Sequence, residues 1–349
     1  MAPAAAKAGR MYNPARSILL TRNTLMKAAL CTHFGPPDEL ELADVETPRA
    51  GPGEAVVRIK AVALNFFDTL IVAGKYQHKP PFPFSPGAEF AGIVESVGAG
   101  VSGFAPGDRV MGSTGWGAAR EMIAAPAWQL VKIPDSLDFD RAAGLTVTYA
   151  TTLYALRERA ALKSGESLVV LGASGGTGLA AVEIGKVMGA RVIACASSDD
   201  KLDFAKAHGA SVTVNYAKED LRAALKQAGG EHGIDVIYDP VGGPYAEPAL
   251  RAMAWEGRYL VVGFAAGEIP KLPLNLILLK SCDVRGVAWG AWVRREPQAQ
   301  QTLMTQIVGW CAQGKLSAHV HATYPLTEIK AALQAIADRK VMGKIVLQP

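Results

Sequence analysis

This sequence predicts an α/β protein of two domains, one β-rich and one built on a doubly wound parallel sheet. Three observations predict it. Residues 168–198 read as strand, glycine turn, helix, strand. From there to residue 263, helical and strand-like segments alternate, the pattern of parallel strands joined by right-handed crossovers. Before residue 134 the chain is instead a series of short strand-like runs punctuated by proline and glycine. At 349 residues the chain exceeds one ordinary core and suits two.

The first 25 residues carry Lys7, Arg10, Arg16 and Arg22, and the first acid of the chain is Asp38. That composition suits a transit-peptide-like leader, or equally an extension upstream of a start at Met26. It lacks the compact apolar core of a secretory signal, and disorder is expected there. The expected compartment is the cytoplasm, or the mitochondrion if these residues are a leader.

Short strands are expected at 26–31, 40–45 and 55–62, the last with Val57, Ile59 and Ala61 in alternation. Gly35-Pro36-Pro37 and Gly51-Pro52-Gly53 mark the turns between them. Residues 87–97 and 109–111 extend this β-rich domain to about residue 133. Residues 134–162 are helical in character.

Residues 168–171, Leu-Val-Val-Leu, form a run short and apolar enough for a buried parallel strand. The turn Gly172-Ala173-Ser174-Gly175-Gly176-Thr177-Gly178 follows, then a helix over 179–188 with Leu179, Val182, Ile184 and Val187 as apolar positions. Residues 191–196 read as the next strand. Such glycines let the backbone turn tightly, approach a pyrophosphate and press the helix onto the sheet. The unpaired N–H groups at the helix start then face the phosphates. This is a dinucleotide-binding unit.

Its second strand ends at Ala196-Ser197-Ser198, and the acids Asp199 and Asp200 come late. NAD sites usually place a carboxylate at that strand tip for the ribose 2′-hydroxyl. Hydroxyls and the nearby Lys201 favour a 2′-phosphate instead, and so NADPH. Lys201 also reads as a solvated helix residue beside two acids.

Further elements are expected as helix 201–208, strand 211–214, helix 219–228, strand 234–238, turn 239–243, helix 244–253 and strand 258–263. After a strand at 283–288, residues 297–313 and 327–339 read as helices and 320–324 and 344–347 as strands. These last pieces are expected to return to the first domain.

Composition excludes several classes. No run of eighteen apolar residues argues for a membrane span, and a net charge of +4 without a basic stripe argues against nucleic acid. The cysteines Cys31, Cys195, Cys282 and Cys311 are scattered without a CxxC pair, which suits a reducing compartment. His319 and His321 share strand spacing, but with no third ligand nearby they read as ordinary polar residues.

Asn65-Phe66-Phe67-Asp68, Gly74-Lys75-Tyr76, Pro83-Phe84-Ser85-Pro86-Gly87-Ala88-Glu89 and Gly92-Ile93-Val94 resemble the N-terminal domain of medium-chain dehydrogenase/reductases. Gly172 to Gly178, Asp239-Pro240-Val241-Gly242-Gly243 and Val262-Gly263-Phe264 resemble their nucleotide domain. The likeness spans residue 26 to the C-terminus and is strongest to the zinc-independent quinone oxidoreductase branch. It implies a GroES-like β-rich catalytic domain over 26–146 and 290–349, a Rossmann NADPH-binding domain over 147–289, and a substrate cleft between them. It also implies a homodimer, with residues 283–289 as the contact.

Zinc-dependent members place Cys where this chain has Asn65 and His where it has Ala88, and the structural-zinc loop is absent. An amide and a methyl do not replace a thiolate and an imidazole, so no metal is expected. Without a Lewis acid, simple alcohol oxidation gives way to reduction of acceptors that are already electrophilic, such as quinones and enones.

The resemblance assigns Tyr76 as an acid or hydrogen-bond donor toward a developing oxyanion, and a half-buried core tyrosine is the other reading. It assigns Asn65 to orienting substrate or cofactor ribose, against a polar turn residue, while Asp68 reads as structural. Ser197, Lys201 and Tyr216 are implied around the 2′-phosphate, and Thr148, Gly242 and Phe264 on the nicotinamide side. Lys344 is a further cofactor candidate, with a surface lysine as its alternative. Trp289 and Trp292 either wall a substrate channel or pack at a domain seam. Two other functions stay open beside quinone reduction: reduction of an enoyl thioester, and non-catalytic NADPH binding.

Overall fold

The computed structural model describes residues 25–349, so the leader expected over 1–25 lies, but for Leu25, outside the described residues. A two-stranded antiparallel pair, Leu25–Leu30 with Glu41–Glu46, opens the described chain. Two larger sheets carry the rest.

The first has six parallel strands in the spatial order Val212–Asn215, Arg191–Ala196, Ser167–Leu171, Ile234–Asp239, Met253–Val261, Asp283–Gly286. That is the doubly wound order of a Rossmann domain, with sequence neighbours running outward from a central strand on both sides. Val169 lies opposite Ile193 on one neighbour and Ile237 on the other. Leu168 through Leu171 are fully buried, as a strand covered on both faces requires.

The second is a mixed sheet: Val320–Pro325, Lys344–Gln348, Glu54–Leu64, Glu89–Val97, Arg109–Ser113, Leu130–Lys132, with Met122–Pro126 also on Glu54–Leu64. The C-terminal strand lies antiparallel to Glu54–Leu64, with Val346 opposite Ala63. One apolar cluster runs from Ala63 and Ala91 through Leu145 and Leu153 to Val182 and Leu260, and so joins the two sheets. The fold is α/β, a GroES-like β-rich unit with a Rossmann sheet.

Several local expectations shift. The helix expected from residue 179 begins at Gly176, because glycines that disfavour a helix interior are wanted in a first turn that must lie close to other backbone. The strand expected at 258–263 is Met253–Val261, with Glu256 at φ +56° and a register shift against Ile234–Asp239. Phe66–Val72, Leu274–Lys280 and Trp289–Arg295 are helices where none was expected. Each is only two turns long, too short for apolar periodicity to stand out.

Candidate active site

The strand order reverses between Ser167–Leu171 and Ile234–Asp239, and a ligand crevice opens where their carboxyl ends diverge. One end leads into Gly172, the other into Pro240. The helix Gly176–Val187 starts from Gly175 with no side-chain cap. The N–H groups of Gly176, Thr177 and Gly178, which no intrahelical carbonyl can reach, therefore point out of the turn. A Cβ on Gly175 would meet nothing closer than 3.6 Å, so the cradle is not filled by protein. These residues fit a pyrophosphate.

The opposite lip is made by Asp239. Its Oδ1 accepts the N–H groups of Val241 and Gly242, each at 2.8 Å, and its Oδ2 accepts the Tyr259 hydroxyl at 2.5 Å. Gly242 sits at φ +65°, and a Cβ there would be 2.9 Å from the Phe264 ring, which lies over it half-exposed. Sequence reading places Asp239 in a turn motif but gives it no role in the site, because its partner Tyr259 lies 20 positions on.

At the tip of the second parallel strand the structure brings Ser197 and Tyr216 together, and links Lys201 to them through Arg339. Ser197 hydrogen-bonds the Tyr216 hydroxyl, and the Tyr216 ring lies 4.3 Å from that of Tyr245. Burial pushes the Tyr216 phenol up to about 12. Lys201 Nζ donates to the Arg339 carbonyl at 3.1 Å, and the exposed Arg339 guanidinium is close enough to act on Tyr216. Arg339 was missed because it follows the last helix of the chain, far from the nucleotide unit in sequence. Asp199 is engaged elsewhere, accepting Asn215 Nδ2 at 2.6 Å and Lys218 Nζ at 2.5 Å.

The other side of the crevice holds a buried polar cluster. Lys344 is no surface lysine, being 4% exposed. Its Nζ donates to Asn65 Oδ1 at 2.7 Å and to Glu89 Oε1 at 2.8 Å. Asn65 Nδ2 donates to the same Glu89 oxygen at 2.9 Å, and the second Glu89 oxygen accepts the Val147 N–H at 2.6 Å. Asp68 Oδ2 accepts the Asn65 backbone N–H at 2.7 Å, which closes the first turn of the helix Phe66–Val72. Burial pushes the Asp68 carboxyl up to about 7, against the pull of that N–H and of the Lys344 charge. Tyr76 stacks on Phe67 at 5.4 Å, and burial followed by the charge of Asp68 raises its phenol above the ordinary value.

Thr148 is buried, its hydroxyl bound to the Gly144 carbonyl at 2.8 Å and its methyl beside Gly176. Ser174 is buried, and its carbonyl accepts the Gly343 N–H at 2.8 Å. Trp292 stacks on Tyr154 at 4.6 Å and Trp289 donates to Gln300. His319 packs on Phe204 and His208.

A glycine cradle at the switch point of a Rossmann sheet, faced by a buried polar cluster on a second sheet, is the arrangement of a nicotinamide-dinucleotide oxidoreductase. The protein is of that class. Residues 51–135 match the alcohol dehydrogenase GroES-like domain family and residues 176–306 the zinc-binding dehydrogenase family. The rat quinone oxidoreductase-like protein 2 is 37% identical over 322 residues, 92% of this chain and 91% of its own length. The quinone oxidoreductase of Pseudomonas syringae pv. Tomato DC3000 superimposes with a TM-score of 0.87 at 33% identity, over 93% of this chain and 100% of that one. The Escherichia coli quinone oxidoreductase complexed with NADPH gives 0.87 at 28% identity with the same coverage. The chain belongs to the medium-chain dehydrogenase/reductase family, in its quinone oxidoreductase-like branch.

A zinc ion does not fit the residues present at the family's metal position. Ala88 offers a methyl, the Asn65 oxygen and one Glu89 oxygen are held by the Lys344 ammonium, and the other Glu89 oxygen by the Val147 N–H. Among the described residues, no group of three or more His, Cys, Asp or Glu is placed to hold a metal.

Proposed function

We propose that the protein reduces quinones or other conjugated carbonyl compounds with NADPH and without zinc. The observation that carries this reading is the Lys344 ammonium, bound where zinc would need free donor atoms. A bound NADPH supplies a hydride. An acceptor already polarised by conjugation needs only a hydrogen-bond donor at its oxygen. Tyr76 has that role here: burial and the neighbouring Asp68 keep its phenol protonated at neutral pH. Asn65, its amide fixed by Lys344 and Glu89, orients the acceptor or the cofactor ribose.

Preference for NADPH is supported by Ser197, Lys201, Tyr216 and Arg339 at one end of the crevice, and by Asp199 being neutralised by Lys218. Thr148, Gly242, Phe264 and the Lys344 stem would then line the nicotinamide side. The domain division at 146/147 and 289/290 is proposed with this reading. So is a homodimer through the edge strand Asp283–Gly286, supported by the exposed Leu274, Leu278 and Leu279 of the helix that precedes it in the chain. Among the described residues no helix is long and apolar enough to cross a membrane, and a cytoplasmic setting is proposed.

Lys75 and Lys79, exposed on either side of Tyr76, favour one second reading: the same hydride chemistry on an enoyl thioester with an anionic carrier. The test is NADPH oxidation followed at its absorbance band, with a 1,4-quinone and an enoyl-CoA offered separately. Turnover of the quinone is expected. Preference for the thioester makes the protein a carbon–carbon double-bond reductase. Silence on both, with NADPH bound, overturns the catalytic reading.

A further inference from the structure

Resting on that reading of the site, we propose that Lys344 is a positioning residue that couples the cofactor's glycine turn to Asn65 and the helix Phe66–Val72. Three parts of one residue pair touch three places. The backbone of Gly343 docks on the turn, its N–H donating to the Ser174 carbonyl at 2.8 Å. The aliphatic stem of Lys344 then passes the first residue of the helix, where a Cβ on Gly176 would be 3.2 Å from Lys344 Cδ. The ammonium ends on Asn65 and Glu89, at 2.7 and 2.8 Å. Four methylenes thus span from the pyrophosphate cradle to the pocket of the other sheet.

The chain of contacts continues. Asn65 is the residue from which the helix Phe66–Val72 starts, and Phe67 of that helix stacks on Tyr76. Lys344 and Glu89 are 4% and 0% exposed, so the ammonium has no solvated alternative position nearby. A buried, hydrogen-bonded charge pair of this kind permits few arrangements, and breaking it by removing one partner is strongly unfavourable. A dinucleotide seated on Gly175 and Gly176 fixes the stem of Lys344, the stem fixes the ammonium, and the ammonium fixes the Asn65 amide. Cofactor binding on the turn is therefore felt at Asn65 and along the helix Phe66–Val72.

Hydrogen exchange of the full-length protein, read by mass spectrometry on peptides covering 65–76 with and without NADPH, tests this apart from turnover. In the wild type NADPH should slow exchange there. Lys344→Met alone leaves the Glu89 charge buried and unpaired, so Lys344→Met with Glu89→Gln, which removes both charges, is the working variant. A thermal melt checks its fold. It should still bind NADPH, yet lose the slowing at 65–76, with acceptor kcat/KM falling by about 2- to 30-fold, the range in which residues between two sites modulate coupling. Asn65→Ala cuts the same path at its far end and should lose the slowing as well. Unchanged slowing in both variants overturns the proposal, as does NADPH binding to the wild type without any slowing at 65–76. Slowing that behaves as expected in a protein that reduces no conjugated acceptor upholds the coupling and overturns the catalytic reading instead.

Discussion

A Cβ on Gly178 would stand 2.1 Å from the carbonyl oxygen of Gly172. The first turn of the helix thus lies directly against the exit of the central strand, and only hydrogen fits between them. Gly178→Ala must push helix and strand apart, at a cost of about 1–3 kcal/mol by analogy with overpacked cores. It should lower the urea midpoint and weaken NADPH together. Gly175→Ala is the contrasting case, since its methyl would meet only the Gly172 carbonyl oxygen, at an ordinary 3.6 Å. It should cost about 1 kcal/mol or less as an N-cap change and still weaken NADPH, because the methyl occupies the cradle. Denaturation curves and NADPH fluorescence titrations on the two variants separate the effects. Equal loss of stability in both would refute the distinction.

The 2′-phosphate site proposed at Ser197, Lys201, Tyr216 and Arg339 predicts cofactor choice. Lys201 and Arg339 are held together through a carbonyl, beside Tyr216 and Ser197, with no free carboxylate from Asp199. Hydrogen bonds to charged groups contribute about 1.5–3 kcal/mol, so Arg339→Ala or Lys201→Ala should lower kcat/KM for NADPH roughly 10- to 100-fold. NADH kinetics should barely change, since the 2′-phosphate is the only difference between the cofactors. Parallel loss with both cofactors would show that these residues act on the fold instead.

Much of this site was legible in the sequence, and the missing parts share one cause. The glycine turn, its strands and the serines at the strand tip are contiguous, so local pattern was enough. Glu89 was visible only as part of a motif, although a lone acid beside Ala88 and Phe90 in a strand of buried residues signals a buried charge that must find a partner. Its partner Lys344 lies 255 positions away and reads as a cofactor candidate or a surface lysine at the start of a closing strand, with nothing local to pair it with Glu89. Arg339 escaped for the same reason, its only link to Lys201 spanning 138 positions. Pairing across that distance depends on how the C-terminal strand folds back onto Glu54–Leu64, which no local period encodes.

Asp68 gives the protein a pH signature. Its carboxyl titrates near 7 when folded, because burial outweighs the Asn65 N–H and the Lys344 charge, and near 3.9 when unfolded. Between those values the native state holds a proton that the unfolded state has released, so this group's contribution to stability falls as pH rises from about 4 to 7 and is constant above. Asp68→Asn keeps an oxygen for the Asn65 N–H and removes the titration. The variant should gain stability relative to wild type across that window, by a few kcal/mol in total. Urea unfolding of both proteins at pH 4.5, 6 and 7.5 reads the difference directly, and a difference that does not change with pH would show that Asp68 is charged throughout.

Tyr76 decides between chemistry and packing. Its ring stacks on Phe67, and burial followed by the Asp68 charge raises its phenol, so the hydroxyl keeps its proton. Tyr76→Phe preserves the stacked ring and removes only the donor. If the hydroxyl stabilises the oxyanion as hydride arrives, kcat on a conjugated acceptor should fall by about 10²- to 10⁴-fold, the range for a positioned acid. NADPH affinity and thermal stability should stay near the wild type, since no packing atom is lost. A residue that serves only the core would give the reverse, an unaltered kcat with a small change in stability. Single-turnover rates with NADPH preloaded isolate the chemical step and so read the role of the hydroxyl without interference from product release.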